Sequence, residues 1–434
     1  MPGRRGDRPR GANRRRLLTR MSRPSLWRHP DFVRLWAGQT VSVFGSMLTR
    51  IALPLTALLS LGSGPIQLGL LRAAEAGPML VAGLFAGVLV DRLRRRRIMM
   101  AADLARAAIL ASIPLAAAAG RLTMAHLYLV AASAAFCTTF FDAAYPAYLP
   151  TLAGRDRLVE GNATLTGSAA VAEMGGFASA GVLVQAVGGP MTVLVDAWTF
   201  VVSALSLAWI RTPEPRAPDA QARRHAVAEA VDGLRVLWET PGLRALVACS
   251  TTMSLAGGVF GALYMLFAVR DLGLSPSAAG IIAGCGGVGS LAGAALAGPT
   301  LRRVGPKATL VLGFGLGGAC QLLVPLAHGA AWSAGLYLVT AQVLGDGLMT
   351  IALVNDVSLR QSLVDDRLLG RVSATANLLG VAAMPLGALA GGVVGQVAGP
   401  RVALAGAALG FAAAALWIVP APLVARTGRG ASTA

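Results

Sequence analysis

The sequence predicts an all-α polytopic membrane protein with twelve transmembrane helices in two six-helix halves, and three observations carry that prediction. First, the 434 residues are 55% hydrophobic and only 13% charged, against about 25% charged in a soluble domain, and the mean hydropathy is +0.64. Second, apolar runs recur at about 35–59, 67–90, 98–119, 125–150, 163–187, 190–210, 243–269, 276–299, 306–327, 332–358, 371–397 and 401–423. Each is near the ~20 residues that cross hydrocarbon as one helix. Third, 32 of the 38 Lys and Arg residues lie on alternate connections, and the opposite connections hold only Arg121, Arg270 and Arg401. This is the positive-inside pattern, so both termini are expected in the cytoplasm. It also accounts for the net charge of +18 and pI near 11.4 without nucleic acid as a partner.

Residues 1–34 are arginine-rich, without hydrophobic periodicity, and read as a basic cytoplasmic tail. The first apolar run lacks a small-residue cleavage site and is too long for a signal peptide, so it stays as an anchor. Composition changes near Met21, a candidate start. Residues 35–210 form the first half. Within it, Gly87-Val-Leu-Val-Asp91-Arg92-Leu-Arg94-Arg95-Arg96-Arg97 joins runs two and three, and five arginines hold this short loop in water on the cytoplasmic side. Residues 211–242 are polar and proline-punctuated, with Val227, Val231, Leu234 and Trp238 at helical spacing. They read as a cytoplasmic linker with one amphipathic helix. Residues 243–423 form the second half, and 424–434 a cytoplasmic tail.

The halves read as a repeat. A shift of 211 places Gly87 on Gly298 and the arginine loop on Arg302–Lys307, and a shift of 210 places Asp156-Arg157-Leu158 on Asp366-Arg367-Leu368. Repeated halves around a midplane site are a common transporter plan. Gly284–Gly289 and Gly313–Gly318 match G-x-G-x-x-G, but both lie inside apolar runs without the acid a dinucleotide site requires. They read as helix packing. No enzyme motif is found, and Cys137, Cys249, Cys285 and Cys320 sit singly, without metal or disulfide spacing. No cofactor or metal is expected.

With these features the chain resembles the major facilitator superfamily. That family's loop signature is matched by Gly87, Asp91, Arg92, Arg95 and Arg96, while Arg94 stands where a second glycine belongs. Leu35-Trp36-Ala-Gly38-Gln39-Thr-Val-Ser42, Arg50-Ile-Ala-Leu-Pro54 and Leu369-Gly370-Arg371-Val372 resemble the branch of macrolide-efflux-like and enterobactin-exporter-like permeases. The resemblance implies the major facilitator fold and a gating role for Asp91, which would bond to a second-half helix and release as the halves rock. The proline that often accompanies glycines in span five of drug/proton antiporters is missing beside Gly175-Gly176 and Gly181.

Charges inside apolar runs are costly, about 2.5–3.5 kcal/mol at mid-depth, and mark function or pairing. Arg50 and Glu75 lie at matching depth on neighbouring runs and are a candidate ion pair, with Arg72 beside them. Asp103 and Arg106 are expected to form a supporting cluster near the depth of Asp142. Asp196 and Asp356 lie toward run ends, where water is expected to reach them. Glu173 and Asp346 lie near mid-depth without a same-helix cation, and are the leading candidates for carrying protons or touching a cationic substrate. Phe140, Phe141, Tyr145, Phe260, Tyr264 and Phe267 are candidates to line an apolar cavity.

The reading is a proton-coupled secondary transporter, working as a monomer in the bacterial cytoplasmic membrane. It is expected to export amphipathic small molecules such as a drug, antibiotic or siderophore. An uptake permease and a transport-inactive sensor remain the alternatives.

Overall fold

A computed structural model describes residues 26–214, 234–364 and 366–422, without the side chains of Leu84, Val88, Asp91, Arg155, Asp366 and Arg367. Among the described residues, twelve helices of membrane length follow in order. The first half holds α1 Pro30–Leu61, α2 Pro65–Arg92, α3 Arg95–Ala118, α4 Met124–Ala153, α5 Leu158–Val187 and α6 Gly189–Ala208. The second holds α7 Pro241–Asp271, α8 Pro276–Val304, α9 Pro306–Leu326, α10 Ala331–Leu363, α11 Asp366–Val397 and α12 Pro400–Trp417. Eleven of these are long and apolar enough to cross a membrane, and α2, in which some side chains lie outside the described residues, has 28 residues.

Local chemistry sets the boundaries. Six helices (α1, α2, α7, α8, α9 and α12) begin on proline, whose fixed φ suits the first turn and whose missing N–H costs nothing there. At α1 this starts the helix at Pro30, ahead of the expected 35, because His29 Nδ1 accepts from the Phe32 amide. Gly62, at φ 62°, ends it. Of the expected amphipathic linker helix, Val227 and Val231 lie outside the described residues. Residues 234–239 are helical, with Leu237 buried and Trp238 exposed.

Packing repeats across the halves. In the first half α1 packs on α5 and α6, α3 on α4 and α6, and α2 on α4. In the second, α7 packs on α11 and α12, α9 on α10 and α12, and α8 on α10. The main contacts between halves are also a matched pair, α2 with α11 and α5 with α8.

Those inter-half contacts concentrate at the ends away from the termini. Gly69 meets the backbone of Ala388 and Gly392, and Gly181 meets Pro276 and Gly280. Only glycine leaves room for backbones to approach so closely. Ser277 donates to Gln185 Oε1 at 2.6 Å on the same side. Toward the termini, Gly77 and Gly83 of α2, Gly167 of α5 and Gly370 of α11 face open space. The bundle is closed at one end and open at the other.

Candidate functional site

Below the closed end lies a cavity of about 670 Å³ between the halves. The first half lines it with Arg50 of α1, Arg72 and Glu75 of α2, and Glu173 of α5; the second contributes Gln321 of α9 with Gln342 and Asp346 of α10. Four candidates from separate runs therefore converge here: Arg50, Glu75, Glu173 and Asp346. Asp142 does not join them, and stands exposed on α4.

The pairing differs from the expected Arg50–Glu75 pair. Arg72 Nη1 donates to Glu75 Oε2 at 2.6 Å, one helical turn apart on α2. A partner on the same helix needs no inter-helix geometry to hold it. Arg50 instead lies over the Phe177 ring, 5.9 Å from its centroid, within electrostatic range of Glu75 and Glu173. Among the described residues Glu173 makes no hydrogen bond or close ion pair.

Asp346 follows directly on a π turn, Ala341–Gly345, in the middle of α10. Such turns interrupt the α ladder and often mark functional positions. Gln321 Nε2 donates to Asp346 Oδ1 at 3.1 Å, and among the described residues no cation pairs with this carboxylate. Gln321 is 4% exposed and, among the described residues, its Oε1 has no partner, as is true of the Tyr264 hydroxyl. The cavity thus holds three carboxylates against two guanidiniums, and both guanidiniums belong to the first half. Phe177, Phe260, Tyr264, Phe411, Met174 and Met384 supply apolar, deformable walls.

Three further acids inside the spans, Asp103, Asp196 and Asp356, are buried away from the cavity in contacts of their own. Asp103 and Arg106 form an ion pair on α3, at 0% and 5% exposure. The Arg106 guanidinium stands 4.0 Å from the Phe200 ring centroid and 4.7 Å from that of Phe141. Asp196 is not wetted: it is 1% exposed and accepts from Thr49 Oγ1 at 2.5 Å and Thr199 Oγ1 at 3.0 Å, joining α1 to α6. Asp356 is likewise 2% exposed, with Arg360 Nη2 at 2.6 Å on its own helix. Both lie under neighbouring helices that depth along the span does not register.

In the arginine loop, Arg94 has φ −65° and ψ 120°, a region open to any residue, so this turn needs no glycine there. The side chain of Asp91 lies outside the described residues. Glu214, unremarked in the sequence, caps α3: its carboxylate accepts from the Arg95 amide at 2.7 Å and the Arg96 amide at 3.3 Å. Arg96 Nη2 donates to Ala208 O at 2.5 Å. Of the expected aromatics, Phe260 and Tyr264 line the cavity, while Phe267 is buried beneath Arg401. Gln321 carries no charge, so the ionisable residues of the runs do not point to it. A lone amide in an apolar run is the signal that would have found it.

Comparison with known proteins agrees with this architecture. The multidrug efflux pump Tap of Mycolicibacterium fortuitum is 32% identical over 225 residues, spanning 50% of this chain and 54% of that protein. Tap of Mycobacterium tuberculosis (strain ATCC 25618 / H37Rv) is 29% identical over 420 residues, covering 92% and 93%. Among solved structures, the nucleoside transporter NupG superposes with a TM-score of 0.70 at 14% identity, covering 90% of this chain and 98% of that one. A bacterial homologue of the iron transporter ferroportin in the inward-facing state gives 0.69 at 16% identity, covering 90% and 98%. At these identities the structures speak for the fold alone. A profile of the Major Facilitator Superfamily matches residues 35–388, and the chain belongs to that superfamily.

Proposed function

We propose that this protein is a proton-coupled exporter of amphipathic small molecules, working as a monomer in the bacterial cytoplasmic membrane by alternating access. The observation that carries the reading is the pair of carboxylates on opposite walls of the inter-half cavity, Glu173 and Asp346, neither held in a close ion pair. Glu173 takes a proton, which releases Arg50 from its field. Asp346 is the counter-ion for a cationic part of the substrate, and the aromatic and methionine walls hold its apolar part. The efflux pumps among the relatives favour export. With both termini cytoplasmic, as the charge asymmetry requires, the open end faces the cytoplasm and the structure is the substrate-loading state. Asp91, in the last turn of α2 at that end, latches the halves when they close there. Energy comes from the proton gradient, with no cofactor.

The test is accumulation of a panel of cationic dyes and drugs in cells with and without the protein, with and without a protonophore. Lower accumulation that the protonophore abolishes is expected. Higher accumulation in expressing cells identifies an uptake permease instead, and no difference for any compound favours a transport-inactive role.

A further inference from the structure

Outside the cavity, α2 and α3 each pack on α4 and meet one another little beyond their shared turn. This leaves a groove of about 620 Å³, floored by Ala101, Ala105, Phe136, Cys137 and Phe140 and walled by Leu89. Arg92, Arg94 and Arg97 rim it at the loop end. Leu89, Leu93 and Phe136 are exposed, so within a bilayer the groove opens to lipid.

Its chemistry changes with depth. From Arg97 to Ala105 is eight residues, about 12 Å at the helical rise. The groove therefore begins at the membrane surface under three guanidiniums and runs into the hydrocarbon layer as a purely apolar channel. Among the described residues, none of the three guanidiniums forms an ion pair or hydrogen bond. The neighbouring Arg96, by contrast, is fixed on Ala208.

We infer that this groove is a binding site for an acidic phospholipid, its phosphate held by Arg92, Arg94 and Arg97 and one acyl chain lying over Ala105 and Phe136. Charge complementarity selects this occupant. A zwitterionic lipid would bring a cation to an already threefold-positive rim, whereas an anionic headgroup supplies the missing counter-charge. The lipid would also brace the α2–α3 turn, just beyond Asp91 in the last turn of α2, without entering the transport cavity.

The test uses the full chain in nanodiscs of equal phosphatidylglycerol and phosphatidylcholine, extracted and analysed by native mass spectrometry for retained lipid. The wild type is expected to retain phosphatidylglycerol preferentially. The double variant R94Q/R97Q is expected to lose that preference by about fivefold for each arginine removed. A105W, which fills the apolar floor without changing charge, is expected to lose retention as well. R302Q/R303Q, in the equivalent loop of the other half, is expected to keep it. Equal retention by the wild type and R94Q/R97Q overturns the proposal. An equal loss in R302Q/R303Q does so too, since it reports net charge alone, as does displacement of the lipid by millimolar inorganic phosphate. Should A105W fail to fold, the arginine pair still decides.

Discussion

The two halves share a scaffold and divide its chemistry unequally. Helices α1 and α7, α2 and α8, and α3 and α9 begin 211 residues apart, yet the same shift carries each charge inside the first half's spans onto a small or apolar residue. Arg50 maps to Gly261, Arg72 to Ala283, Glu75 to Gly286, and the buried Asp103 and Arg106 to Phe314 and Gly317. The replacements have uses. A Cβ added at Gly261 would stand 2.8 Å from Arg72 Nε, and one at Gly286 would collide with Asp346 Oδ2. Where one half keeps a charge, the other keeps the space that a facing or neighbouring charge occupies. The matched offset gives the halves a common frame, and their unequal charges make one cavity with an ionic wall and a recessed carboxylate.

The sharpest way to break this comparison is at the first half's buried pair. Arg106→Ala leaves the buried Asp103 without its partner, a loss of about 3–5 kcal/mol, so folded yield after membrane extraction should collapse. The second half carries Phe314 and Gly317 at the equivalent positions, so the double variant D103F/R106G, which copies them, should recover part of that yield. No recovery would show that the halves have diverged in packing as well as in charge.

Next is the division of labour across the cavity. Glu173→Gln is expected to fold normally and to lose gradient-driven transport by at least about tenfold while downhill exchange persists. Asp346→Asn is expected to weaken binding of cationic compounds more than neutral ones. Uphill transport that survives in the Gln variant moves the coupling role to Asp346.

A smaller effect tests the spaces. Gly286→Ala crowds the Asp346 carboxylate, and should raise the apparent KM for cationic substrates several-fold with little change in thermal stability. An unchanged KM would mean that the carboxylate simply shifts aside.

The smallest effect concerns the helix cap supplied by the linker. Glu214→Ala removes the acceptor for two amides at the start of α3, a loss of about 0.5–2 kcal/mol. A modest fall in Tm is expected, without loss of substrate binding. The equivalent turn of the other half is closed by Gly305, at φ 80°, and Gly305→Ala should cost a comparable amount through strain.

The sequence by itself determined the apolar spans, the alternation of basic and weakly charged loops, the 211-residue offset between the halves and the set of charges inside the spans. Each is a one-dimensional property: hydrophobic run length, the alternation of basic residues and a fixed offset survive any rotation of the helices. Only the tertiary structure decided which charges meet. Arg72 rather than Arg50 neutralises Glu75, Asp196 and Asp356 are buried although they lie toward run ends, and a π turn precedes Asp346. Depth in the membrane can be counted along a chain. The direction in which a side chain points is set by how each helix rotates to pack against its neighbours. That rotation depends on contacts between residues far apart in sequence, such as Gly69 with Gly392 and Gly181 with Gly280, which no local pattern encodes.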